Sequence, residues 1–227
     1  NGERVDYTKY IDTRFSAKKD LLIDGIGLKI DVVVWKEKIR EKFCIYFMNL
    51  EGVLKGRDTT SFNRNTVNFN HSVFVRSLCF DRDSDTSLTT DDSGNEQIAF
   101  DDQPSNRTFL RKVKKEIQEA IDDALTAFLS AQATKAVQDM MDRESFPTFS
   151  DDIPGQLQKK DLMTVTQELY KLDARIFYKL KPIQEKSLLG FINLLLQSEE
   201  RENMLDIIES IVSLTPEQRK GFSDILK

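Results

Sequence analysis

Leu28-Lys29-Ile30-Asp31-Val32-Val33-Val34 decides how the first third of this chain is read. Leu28, Ile30, Val32 and Val34 fall on alternate positions, with Lys29, Asp31 and Val33 between them. A period of two sends the first set to one side of an extended strand and the second to the other, so one face is ready for burial. The period returns in Phe43, Ile45 and Phe47, which run into a Glu51-Gly52 turn signal. It returns again in Val67, Phe69, Val73 and Val75, with Asn68, Asn70 and Ser72 between. Three such runs in succession predict an antiparallel meander. The stretch Asp12 to Leu22 predicts a short helix beside it, so the expected class is α+β, an antiparallel β-rich module over 1–80 followed by a mainly α-helical bundle with one long helix.

Downstream the pattern changes twice. Residues 81–104 carry eight Asp and Glu against one Arg and few bulky apolar groups, Ile98 and Phe100 among them. Such a segment buries too little to offset its ordering entropy and is predicted to be a flexible acidic linker. From 105 to 227 the period is helical. Ser105 or Asn106 is a candidate cap, and no Gly or Pro follows until Pro147. Leu110, Val113, Ile117, Ile121, Ala124 and Phe128 keep a spacing of three or four, which makes one apolar stripe. Unbroken from Arg107 to Arg143 this helix would span about 55 Å. That length predicts a break near Ser130–Ala136 or a partner along it.

Shorter helices are expected over Leu157–Leu172, Ile183–Leu196 and Met204–Val212, and a last one from the Thr215-Pro216-Glu217-Gln218 capping box. Ile183–Leu196 is apolar on nearly every side and is expected to be the central buried helix. No helix of this kind is stable alone, so the tail should fold as a bundle.

Composition narrows the function classes. Residues 1–80 hold fourteen Lys and Arg against ten Asp and Glu, a mildly basic module in a chain of net charge −5. The longest mostly apolar stretch, Leu188–Leu196, is too short to cross a bilayer, and no charged-then-apolar leader opens the chain. A cytoplasmic protein without a membrane partner is expected, and the opening at Asn1 rather than Met is expected to mark residues missing upstream. Cys44 and Cys79 are the only cysteines and His71 the only histidine, so neither a zinc site nor a disulfide framework is expected.

Catalytic patterns fail on named grounds. His71 shares a strand face with Phe69, Val73 and Val75 and reads as a core histidine, and no GxSxG accompanies it. No Asp or Glu has Lys at the second position after it, as a restriction-type nuclease requires. Asp81, Asp83 and Asp85 alternate like a calcium loop but lack its Gly and terminal Glu. Gly52-Val53-Leu54-Lys55-Gly56-Arg57 is one residue short of a P-loop, with Arg57 for the lysine, and Asp24-Gly25-Ile26-Gly27 leads straight into a strand; both read as turns. No catalytic residue or metal ligand is expected.

The run Lys55 to His71 is the least ordinary. Asn63, Asn65, Asn68 and Asn70 stand with Lys55, Arg57 and Arg64 between two strands. These groups donate well to phosphate oxygens, so Lys55, Arg57, Asn63, Arg64 and Asn65 are candidate anion- or nucleotide-sensing residues. The same composition also suits a polar hairpin loop whose Asn and Thr satisfy turn backbone.

The segment Thr59-Thr60-Ser61-Phe62-Asn63-Arg64-Asn65-Thr66 and the strand Phe69-Asn70-His71-Ser72-Val73-Phe74-Val75, with an acidic linker and a long helix after them, prompt a comparison. Their order resembles the region C-terminal to the nucleotide-binding domain in bacterial GHKL-type ATPases, the group of gyrase, mismatch-repair and heat-shock-chaperone ATPases. The resemblance implies a transducer whose basic residue, Lys55, Arg57 or Arg64, reaches a γ-phosphate. It implies ATP and Mg in the full-length protein and no cofactor in this chain, whose sequence lacks the Asn helix and glycine boxes of the ATPase site. On this reading the chain is a non-catalytic region that couples nucleotide state to conformational change and protein contact, including self-association through the helical tail. The alternatives are a stand-alone helical adaptor and, less favoured, a nucleic-acid-binding module using Lys55, Arg57, Arg64 and Arg76.

Overall fold

A computed structural model describes residues 7–40, 42–62, 67–81, 87–90, 96–99, 104–199, 203–211, 214 and 216–226. The class is α+β, as the alternation and the helical periods predict. The chain forms two compact units, Asn1–Phe128 and Leu129–Lys227, and the division falls inside a helix rather than at the acidic segment.

Five strands build the first unit: β1 (Ala17–Ile23), β2 (Ile26–Trp35), β3 (Cys44–Met48), β4 (Leu54–Thr59) and β5 (Asn70–Arg76). The expected helix at Asp12–Leu22 is instead a turn followed by β1, an edge strand whose Ala17, Lys19, Leu21 and Ile23 turn one way. Asp24 and Gly25, at φ 50° and 80°, close the β1–β2 hairpin. Positive φ at both central residues matches the twist of the flanking strands, which is why Asp-Gly serves there. At the β3–β4 turn Gly52 has φ 83°, and Asn49 accepts from the Val53 N–H through its side chain at 2.8 Å. The P-loop look-alike is thus a hairpin turn running into a strand.

The strands do not form a simple meander. Their order is β1-β2-β5-β3-β4, and β3 and β5 run parallel while the other pairs are antiparallel. β5 enters the slot between β2 and β3, so the connection from β4 to β5 is a crossover and not the hairpin loop expected there. Inside the predicted linker, β6 (Ser87–Thr90) and β7 (Glu96–Ala99) pair as a separate two-stranded ribbon.

One face of the large sheet is the core. Leu28, Ile30, Val32 and Val34 of β2, Ile45 and Phe47 of β3, and Val73 and Val75 of β5 are all buried. Helix α1 (Pro104–Asp142) covers them with Phe109, Val113, Ile117, Ala120, Ile121, Ala124 and Phe128. The helix begins at Pro104, so Ser105 and Asn106 lie in its first turn rather than before it. It runs without interruption through Ser130–Ala136, so the length mismatch is met by one helix serving two cores, with Val137 and Met140 buried in the second.

Ion pairs tie α1 to both edges of the sheet. Glu116 accepts from Lys19 at 2.6 Å and Lys112 donates to Asp24 at 2.6 Å on the β1 side; Lys114 meets Asp58 of β4 at 2.7 Å. Exposed pairs of this kind contribute at most about 1 kcal/mol each, so they set the helix azimuth while apolar burial supplies the stability.

The second unit packs α2 (Ile153–Leu172), α3 (Pro182–Leu196), α4 (Asn203–Ile211) and α5 (Pro216–Leu226) with the end of α1. Asp152 caps α2 by accepting from the Gly155 N–H at 2.8 Å. The expectation that Ile183–Leu196 is the central buried helix is corrected. α3 buries Leu189, Ile192 and Leu196 but leaves Ile183, Phe191 and Leu194 at 68%, 54% and 70% exposure. Few helices surround it in this small bundle, so an apolar circumference does not guarantee burial on every side.

Ile117 lies 1% exposed beneath the sheet. Ile117→Ala should cost about 3 kcal/mol, because the vacated volume cannot refill, whereas Leu22→Ala at a solvent-facing position should stay within about 0.5 kcal/mol. Urea unfolding followed by Trp35 fluorescence measures both.

Candidate functional site

Of the residues that the sequence singles out for anion sensing, Lys55 and Arg57 lie on β4. Asn63, Arg64 and Asn65 lie outside the described residues. Lys55 is the unpaired residue at a β4 irregularity, since Gly56 pairs with Phe47 and Leu54 with Met48. Arg57 lies on the sheet face turned away from α1. There it joins side chains that the loop-centred reading missed.

Strand register places five residues of that outer face in one row across the sheet: Arg57, Tyr46, Phe74, Asp31 and Lys18, from β4 to β1. The Tyr46 and Phe74 rings stack at 5.1 Å between centroids and 15° between planes. The Arg57 guanidinium lies 5.8 Å from the Tyr46 centroid and donates to Cys44 Sγ at 3.1 Å. Cation, tyrosine and phenylalanine therefore form a three-layer stack standing on the sheet. In the next row Arg76 of β5 stands between Met48 and Lys29 and pairs with Asp31. Trp35 is on the same face, where its Nε1–H donates to Ser72 Oγ at 3.0 Å.

A cavity of about 600 Å³ opens beside this stack, lined among others by Phe74, Val33, Met48, Arg76, Asp31 and Lys18. Phe74 lines it and Tyr46 does not, so the cavity extends from the phenylalanine toward β2 and β1. Its size falls within the range of small-molecule sites, and its floor is apolar with charged groups at the margin. A second cavity, about 430 Å³, lies in the helical unit, where Lys159 and Lys186 share the lining with Glu144 and Asp151, and the Phe146 and Phe149 rings meet at 6.3 Å with a 48° tilt rather than stacking.

His71 faces the core, as expected, at the end of β5. Its ring sits 5.3 Å from Phe43, 5.5 Å from Phe62 and 4.9 Å from Phe69, and Nε2 has no hydrogen-bond partner. Burial pushes its pKa down to about 4, against a small opposing pull from the Phe69 carbonyl 3.4 Å from Nδ1. A neutral imidazole so enclosed is a packing element rather than a proton carrier.

Among the described residues no group of His, Cys, Asp and Glu could hold a metal ion, and no helix is long and apolar enough to cross a membrane. Cys44 and Cys79 are free thiols. No protein-family model, curated protein or solved structure matches the chain.

His71 gives a pH signature. The unfolded imidazole binds a proton near pH 6.5 and the folded one only near 4, so the unfolded state holds more protons between those values. Stability from this group is complete above about pH 6.5 and falls as pH drops toward 4, by up to about 1.4 kcal/mol per pH unit. His71→Leu should flatten that part of the profile. Urea midpoints at pH 7, 6 and 5 for both proteins check it, and an unchanged slope would assign the loss to other groups.

Proposed function

We propose that the first unit is a binding module whose ligand-contacting surface is the outer face of the sheet, and that the ligand is of the nucleotide class: a flat ring carrying negative charge. The observation that carries this reading is the Arg57–Tyr46–Phe74 stack ending at a cavity that Arg76 and Lys18 border. A planar base entering the cavity extends the stack on Phe74, and its phosphate lies within reach of the two cations. Outer sheet faces are ordinarily polar, and half-buried Phe74, Tyr46, Met48 and Val33 on this one are what a ring-binding floor requires.

The chain's one tryptophan, Trp35, lies on the same face and reports the titration. Adding mononucleotides should change its fluorescence saturably, and Phe74→Ala should weaken that binding about tenfold, the loss of one stacked base. A flat titration with every mononucleotide and with short oligonucleotides would remove the reading.

Two readings drawn from the sequence stand beside it. In the likeness to GHKL-type ATPase transducers, Arg57 would serve a phosphate held by another domain of a longer, ATP-binding bacterial protein. In the adaptor reading, the helical unit contacts a protein or a second copy, and exposed Ile183, Phe191 and Leu194 on α3 favour it. Sedimentation should then show concentration-dependent association that Leu194→Asp abolishes, and a monomer at all concentrations would exclude self-association through α3.

A further inference from the structure

The mononucleotide-sized cavity accounts for only part of the outer face. Arg57 stands at the far end of the row, beyond Tyr46, and Lys29 stands in the next row beside Arg76. Neither is among the residues that line the cavity. Among the described strand residues of this face, four cations, Lys18, Lys29, Arg57 and Arg76, thus spread over β1, β2, β4 and β5, against the carboxylates of Asp20 and Asp31. From β4 to β1 the row crosses four interstrand spacings, about 19 Å, which exceeds one nucleotide and approaches the shortest single-strand sites of about four nucleotides.

Resting on the nucleotide-class reading above, we infer that the occupant of this face is a single-stranded polynucleotide lying across the strands. One base stacks on Phe74 in the cavity while successive phosphates follow the cations toward Arg57. Three properties select a single strand. Unpaired bases offer the flat faces that the Tyr46–Phe74 stack can extend, whereas a duplex keeps its bases stacked inside. The cations are distributed along a track rather than gathered around one point, which suits a repeating anion. Of the side chains in the row that can read a base edge, Asp31 is engaged by Arg76 and Arg57 by Cys44 Sγ and the Tyr46 ring, so recognition is expected to tolerate sequence.

The test uses the full chain with labelled oligo(dT) and oligo(U) of 1, 4 and 12 nucleotides, read by fluorescence anisotropy from 25 to 250 mM salt. The 12-mer is expected to bind at least tenfold tighter than the mononucleotide. Its log K against log salt should slope at about −2 to −3, the value for three or four neutralised phosphates on a single strand. Phe74→Ala should lower affinity about tenfold or more for every length, while Arg57→Gln should weaken the 12-mer more than the mononucleotide and flatten the 12-mer's slope by about 0.7. Unchanged circular dichroism confirms that each variant is folded, and Lys115→Gln, which removes an exposed cation from α1, serves as a variant on the same unit outside the face. The DNA and RNA arms identify which polymer is preferred.

A mononucleotide that binds as tightly as the 12-mer overturns the polynucleotide inference and leaves the cavity reading intact. Absence of binding at every length overturns both. Binding of the 12-mer that neither Phe74→Ala nor Arg57→Gln alters removes the outer face as its site.

Discussion

The apolar stripe of α1 can cover only one side of a sheet, and it lies against the side where β2, β3 and β5 turn Leu28, Ile30, Val32, Val34, Ile45, Phe47, Val73 and Val75. Lys19 and Asp24 at one edge and Asp58 at the other hold the helix in place across the strands. Everything placed on the alternate positions is thereby assigned to the opposite face. For Lys18, Asp20 and Lys29 that outcome costs nothing, since charges are stable in water. For Tyr46, Phe74, Met48 and Val33 it leaves apolar surface partly wet, and the fold recovers some of the loss by stacking the two rings on each other and laying Arg57 over the outer one.

The alternation of Leu28 to Val34 is enough to read the inner face, because period-2 spacing is a local property that packing enforces directly. The row across the outer face is not legible in the same way. In a simple meander β4 would separate β3 from β5, and Tyr46 and Phe74 would stand two strands apart. Only the entry of β5 between β2 and β3 makes them neighbours, and nothing in the spacing of apolar residues specifies strand order. The Asn-rich run also points toward a loop by its composition, whereas Tyr46 and Phe74 look like ordinary strand residues one at a time. β1 is hidden for a related reason: an edge strand alternates weakly, and Lys19 uses its stem to cover the core while its ammonium reaches Glu116.

The same sidedness explains the histidine. His71 continues the inner row of Val73 and Val75, so it is carried into the core by register rather than by chemistry. Phe43, Phe62 and Phe69 surround it, and Phe69 in turn touches Phe128 of α1. The cost of enclosing a titratable ring is avoided by keeping it neutral. The end of the sheet thus remains well packed next to the crossover that brings β5 into the middle.

Two cations of the outer face are held in place by the fold itself. Arg57 is held by Cys44 Sγ and by the Tyr46 ring, and Arg76 by Asp31. Fixing these long side chains in advance reduces the rotamer entropy that binding must remove, which favours affinity. The Asp31 contact works in the other direction, because a phosphate approaching Arg76 must compete with a carboxylate already in place. The Tyr46 ring beneath Arg57 engages the guanidinium without neutralising its charge. On the proposed reading a phosphate track would run between Arg57 on β4 and Arg76 on β5, and the aromatic stack stands beside both cations, where a base must sit if its own phosphates are to reach them.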